Sequence, residues 1–301
     1  MKRVTLLLFV LLTAATAQTP TSFELPGDAV FPEGVAYDAA AGVLYVGSTT
    51  DGTLYRGDVA TGEVTVFAQG TQPTAIGMKT DDNGRLWVAG GNSGNVYVYD
   101  TTSGELLKTF ETPAADATFL NDVTVLPDGS VYVTDSQRPV IFKISATPDD
   151  LGELESWLEL DGTAIEYVEG FNLNGIASSA DGQFLVTVQS NTGKLFRVDV
   201  AAKEVAEITV GTELTAGDGI LLDGDTLYVA RNSFGEIAVI AMTPDLSEGT
   251  VTNTLTDDDL TYPTTIAKVD SSLLVVNSQF NNRGEGKAPV LPFTVSRIDL
   301  P

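Results

Sequence analysis

TFLNDVTVLPDGSVYVTDS, residues 118–136, holds an apolar strand, an Asp-Gly turn and a second strand. Asn121 stands out in it. An amide avoids strands, yet this one heads a strand in which Val123 and Val125 alternate inward. The same phrase recurs along the chain as FPEGVAYDAAAGVLYVGS (31–48), QPTAIGMKTDDNGRLWVAG (72–90), NLNGIASSADGQFLVTVQS (172–190), GDGILLDGDTLYVARNS (217–233) and PTTIAKVDSSLLVVNS (263–278). Asp-Gly, Asn-Gly or Ser-Ser occupies the turn in most copies, as tight hairpins demand.

A third and fourth strand follow most pairs: Gly52–Ala68, Gly94–Glu111 and Gly193–Val210 each read as a further hairpin. Four strands per unit, a period of about 45 residues and no helical periodicity predict an all-β chain, a six-bladed β-propeller of four antiparallel strands per blade. A two-sheet sandwich also has many short strands but would not repeat one four-strand phrase. The N-terminal Thr21–Pro26 and C-terminal Phe293–Leu300 are both strand-like, so the first is expected to complete the last blade and close the ring. Two segments interrupt the rhythm, Ala146–Gly170 and Asn277–Phe293, as lids, rim loops or decoration.

Lys2 and Arg3, the apolar run Val4–Ala14 and Ala15-Thr16-Ala17 form an export signal over residues 1–17, leaving a single domain over 18–301. The chain has no Cys, hence no lipobox anchor and no disulfide, and the expected product is secreted or periplasmic, without a membrane anchor after cleavage, and monomeric. The formal net charge of −25 argues against nucleic acid and anionic membranes as partners and is the ordinary means of keeping an exported protein in solution. The composition also lacks His entirely. That excludes Ser-His-Asp and Cys-His nucleophiles, imidazole-ligated metals and imidazole proton shuttles. Chemistry here rests on carboxylates, amides, hydroxyls, Lys, Arg or a hard metal ion.

Aligning the heads of the six inner strands places Glu33, Thr74, Asn121, Asn174, Asp218 and Thr264 at one step of each repeat. Equivalent positions face one another across a propeller's channel, so two carboxylates and two amides, Glu33, Asn121, Asn174 and Asp218, converge on one point. Alone, each such residue is a strand-start polar group bonded to nearby backbone. Four in register have no such explanation. The set suits Ca2+, which takes six to eight oxygen ligands, ahead of Mg2+ or another divalent cation with a stricter octahedron.

FPEGVAYD, LNDVTVLPDGSVYVTD, NLNGIASSADG and GDGILLDGDTLYVA resemble the six-bladed propellers of the senescence marker protein, gluconolactonase and luciferin-regenerating-enzyme family, whose layout diisopropyl fluorophosphatase shares. The resemblance runs from about Phe31 to Val276. It implies a divalent ion held by Glu33, Asn174 and Asp218, with Asn121 as further ligand or substrate contact, and hydrolysis of lactones or related esters, phosphotriesters included. The ion would act as Lewis acid and Asp218 as general base or nucleophile. Where sugar-lactone hydrolases of this family commonly carry Arg, two residues before the Asn of the third blade, this chain has Phe119, which favours a more apolar lactone or ester. The histidine-based mechanism of paraoxonase-like relatives cannot operate without His.

The ends of the second strands supply further substrate-binding candidates, Asp135, Arg231 and Asn277. Arg231 has a structural alternative as an ion-pair partner on so acidic a chain. A second class of function, a non-catalytic binding or scaffold propeller stapled by a structural calcium ion, stands beside the hydrolase, because one fold hosts both.

Overall fold

A computed structural model describes residues 19–300, and the export signal read at residues 1–17 lies outside them. Six four-stranded antiparallel sheets succeed one another along the chain. Their inner strands are Pro32–Asp38, Met78–Thr80, Leu120–Val125, Leu173–Ser178, Gly217–Asp223 and Pro263–Val269. The ring closes as expected: Ser22–Leu25 pairs antiparallel with Phe293–Asp299 and forms the outer edge of the sixth blade. Among the described residues no helix is long and apolar enough to cross a membrane.

Each strand of a blade has a neighbouring blade on both sides, which explains strands apolar on successive residues rather than on alternate ones. The core is accordingly divided into six apolar clusters, one in each gap between adjacent blades. The gap between the sixth and first blades buries Phe23 and Leu25 from the closing strand against Val276 and Val295. Phe23 is fully buried. Phe23→Ala is therefore expected to cost about 3–5 kcal/mol through the cavity it leaves, read as a lower urea midpoint; a loss below about 1 kcal/mol would show that the closing strand does not hold the ring.

One reading of the rhythm needs correction. The interruption at Ala146–Gly170 contains a regular outer strand, Leu154–Glu159, the fourth of its blade. Charged residues mask it: only Trp157 is buried there, edge-on against Tyr132 at 4.8 Å. The segment after it and Asn277–Phe293 are true loops, and both reach the channel mouth.

Candidate functional site

Five inner strands carry a bulge at one place. The pairing slips between Pro32 and Val35, Leu120 and Val123, Leu173 and Ile176, Gly217 and Ile220, and Pro263 and Ile266. The extra residue re-aims a side chain that regular pleating would send between blades. Glu33, Asn121, Asn174 and Asp218 all lie in these bulges, which is why polar residues interrupt apolar strands there. Glycine follows three of them because the inner strands crowd together at the axis: a Cβ on Gly34 would stand 2.1 Å from the Ile76 carbonyl oxygen, and one on Gly175 2.4 Å from that of Asp218.

In the second blade the equivalent residue is Ile76 and not Thr74. Ile76 and Gly77 together face Ala89, the Ile76 N–H donating to the Ala89 carbonyl and the Ala89 N–H to that of Gly77, both at 2.9 Å. Thr74 precedes this bulge by two residues, the place held by Phe119 in the third blade. Thr264 does occupy the bulge of the sixth blade, but its hydroxyl donates to the Glu33 carbonyl at 2.9 Å and is consumed there.

The four expected ligands meet at the base of a cavity of about 430 Å³. Each is buried, with 3–6% of its surface exposed. Three of their oxygens, Glu33 Oε2, Asn121 Oδ1 and Asn174 Oδ1, are buried with no hydrogen-bond partner. Such orphans cost about 1–3 kcal/mol each. The amides cannot turn to relieve this, because their nitrogens are already committed: Asn121 Nδ2 donates to Ser136 Oγ at 2.9 Å and Asn174 Nδ2 to Ser190 Oγ at 3.0 Å. Each serine in turn donates to a carbonyl of the next blade, Leu173 or Gly217. Asp218 is steadied by Asn232, whose Nδ2 donates to Oδ2 at 2.8 Å.

Charge is crowded here. Burial, then the Asp218 and Asp122 carboxylates, push Glu33 well above the ordinary carboxylate range. Burial alone lifts Asp218 to about 6 against the lowering effect of the Asn232 and Asn174 amides. Asp122 was missed in the sequence, although it stands where four other repeats have Gly. Its carboxylate accepts from the Val123 N–H at 2.8 Å and the Ile176 N–H at 3.2 Å, tying the third blade to the fourth, and burial raises it to about 7 despite the nearby Lys79. A floor with so little positive compensation favours a bound cation. Among the described residues no three His, Cys, Asp or Glu side chains converge tightly enough to hold an ion by themselves, so this site depends on its amides.

Asp135, Arg231 and Asn277 do not line the cavity. Asp135 is fully buried and accepts from the Phe119, Gln137 and Arg138 N–H groups. Arg231 pairs with Glu236 at 2.5 Å and covers the Phe234 ring at 4.0 Å, the structural role open to it from the start. Asn277 accepts from the Thr261 N–H and donates to Thr294 and Ser296. The reason is pleat alternation: the next residue in each case, Ser136, Asn232 or Ser278, turns to the opposite side. Ser136 and Asn232 are the ones that reach the expected ligands; the Ser closing most of the repeated phrases signalled the first, whereas the fifth phrase has Asn232 at that step.

The walls come from elsewhere. Phe119 and Phe171 meet edge to face at 5.1 Å on one side, Tyr262 and Phe280 at 6.1 Å on the other. Phe31 and Tyr262 hold left-handed backbone angles, φ 41° and 59°, two residues before a bulge, a strain typical of functional sites.

Residues 31–256 match the model of the SMP-30/gluconolactonase/LRE-like region. No curated protein matches the chain in sequence. Among solved structures, the calcium-binding protein regucalcin from Agrobacterium tumefaciens is 17% identical, with a TM-score of 0.68 over 94% of this chain and 96% of its own. A luciferin-regenerating enzyme is 16% identical, TM-score 0.67, over 93% and 95%. A catalytically inactive virginiamycin B lyase from Staphylococcus aureus is 14% identical, TM-score 0.64, over 93% and 98%. At these identities the likeness is one of fold, shared by proteins of unlike chemistry.

Proposed function

The chain belongs to the SMP-30/gluconolactonase/LRE-like family, and on that premise we propose that it is an exported hydrolase of lactones or related esters that works with a divalent cation, calcium first. One observation carries this reading: three buried oxygens, on Glu33, Asn121 and Asn174, lack any partner, and the two amides are locked in orientation, beside the buried Asp218 carboxylate. These four side chains would hold the ion. Calcium suits them because it accepts amide and carboxylate oxygens in irregular geometry, whereas magnesium asks for a small octahedron with several waters retained. Bound there, the ion would polarise the substrate's carbonyl or phosphoryl oxygen and offset the charge that develops on it.

The chain's own residues supply the rest. Asp218 is the one carboxylate of the set held by an outside donor, Asn232, which fixes its orientation. It serves as general base toward water, or as the nucleophile itself; both need it ionised, and its pKa of about 6 permits that at neutral pH. Phe119, Phe171, Tyr262 and Phe280 hold an apolar acyl chain or ring against the floor and limit the entry of water. With Phe119 rather than a basic side chain at this wall, a polyhydroxylated sugar lactone would find few polar partners.

Turnover of a small panel of lactones and aryl esters, followed by acid release, tests the reading. Activity is expected to vanish on chelation and to return with calcium. Calcium that raises the melting temperature while every substrate stays intact would instead leave a binding propeller with a structural ion.

A further inference from the structure

Arg283 is the one basic side chain lining the cavity, and the function proposed above gives it no role. It belongs to the loop Asn277–Phe293, whose course is set internally. Gln279, 3% exposed, donates through Nε2 to the Val290 carbonyl and accepts the Val290 N–H at Oε1, both at 2.8 Å. The loop thus carries Phe280 and Arg283 to the mouth as a stitched strap. From there Arg283 crosses to the first blade, where its Nη1 donates to Thr49 Oγ1 at 2.9 Å and its guanidinium lies 5.1 Å from the centre of the Phe31 ring.

No ion pair among the described residues involves Arg283, and Nη1 is the only donor of its fork engaged there. On a chain with 41 acidic and 16 basic residues this is notable, since carboxylate partners abound. Half of a planar fork is fixed, the other half is unengaged, and the side chain lines a cavity with aromatic walls. Such an arrangement receives a planar anion end-on. The two acidic residues of the floor, Glu33 and Asp218, cannot be that anion's partner, so an anionic group would sit at the rim while the reacting ester reaches down to Asp218.

We propose that Arg283 is a substrate-binding residue that selects lactones or esters carrying a carboxylate on an apolar or aromatic body, the guanidinium taking the carboxylate and the aromatic walls the body. The choice of ester rests on the hydrolase reading; the anion site does not.

The two are separable by experiment. Binding of 3-phenylpropanoate to the full mature protein and to Arg283→Gln, titrated calorimetrically in chelator, reads the anion site without turnover. Values of kcat/KM for phenyl acetate and 4-acetoxybenzoate, with calcium, read the selection. Removing the guanidinium is expected to weaken 3-phenylpropanoate about 10- to 100-fold and to lower kcat/KM for 4-acetoxybenzoate by a similar factor, with a much smaller loss for phenyl acetate. Arg283→Lys should fall between, because it keeps the charge and loses the fork. Arg283 is exposed, so unchanged melting temperatures are expected. Equal losses on both esters, or wild-type protein that does not bind 3-phenylpropanoate, would overturn the proposal. If neither ester is hydrolysed yet Arg283→Gln still weakens 3-phenylpropanoate, the anion site stands and the choice of ester falls.

Discussion

Asp218→Asn is expected to lower kcat at saturating calcium by about 10²- to 10⁴-fold, the range spanned by removal of a positioned general base. The substitution keeps the shape of a side chain that is 5% exposed and leaves Asn232 a carbonyl oxygen to donate to. It also removes one negative charge from a floor where the Asp218 carboxylate helps to push Glu33 upward. The folded, metal-free variant should therefore be at least as stable as the wild type, so that a loss of turnover is a loss of chemistry and not of fold. Saturating calcium matters because Asp218 is also an expected ligand, and a deficit that more calcium repairs would be one of binding. Near wild-type kcat under these conditions would remove Asp218 from the chemical step, and circular dichroism with a melting curve would show that the comparison is fair.

Glu33→Gln acts on the ion itself. A drop in calcium affinity of about 100-fold or more is expected, beyond the roughly 10- to 100-fold that loss of a mere outer-shell partner costs. The substitution also changes how stability depends on pH. In the metal-free wild type Glu33, Asp122 and Asp218 have folded pKa values above their unfolded ones, Asp218 at about 6 and Asp122 at about 7. The folded state then binds more protons than the unfolded one between the ordinary carboxylate range and these values. Their contribution to stability is fully present below pH ~4 and is lost as pH rises through about 6 to 7. Metal-free protein should accordingly melt lower at pH 7.5 than at pH 5, and calcium should restore more at pH 7.5 than at pH 5. In Glu33→Gln the dependence flattens and the calcium response shrinks. Calcium titrations and melts across that range check both, and an unchanged affinity would exclude Glu33 from the site.

Much of this fold was legible because a propeller repeats its instructions. Strand, turn and strand recur at about one spacing, and Ser22–Leu25 is recognisable as a strand lacking a blade of its own. The oxygen ring was legible for the same reason: in a repeat, a polar residue at one fixed step of an apolar strand calls for an explanation that turn chemistry does not provide. The errors have physical sources as well. Thr74 was chosen over Ile76 because Pro73-Thr74-Ala75-Ile76 copies the Pro263-Thr264-Thr265-Ile266 that heads the sixth inner strand, while the bulge of the second blade lies two residues further on. Asp135, Arg231 and Asn277 each miss the cavity by a single residue, since adjacent positions on a strand face opposite ways. Asp122 was read past because its neighbour Asn121 had already accounted for the break in apolar pattern.

The chain's periodicity by itself determined the architecture, the number of blades, the means of closure and which oxygen-bearing side chains stand at the channel mouth, because each is encoded many times over in short segments whose local preferences agree. Only the tertiary structure decided which way these side chains face, through bulges that depend on crowding at the axis. It alone brought together Phe171, Tyr262, Phe280 and Arg283, which come from three different connections between strands and share no repeat position. Loops answer to their ends and to one another rather than to the period, so the cavity's walls, and with them the choice of substrate, are properties of the closed ring.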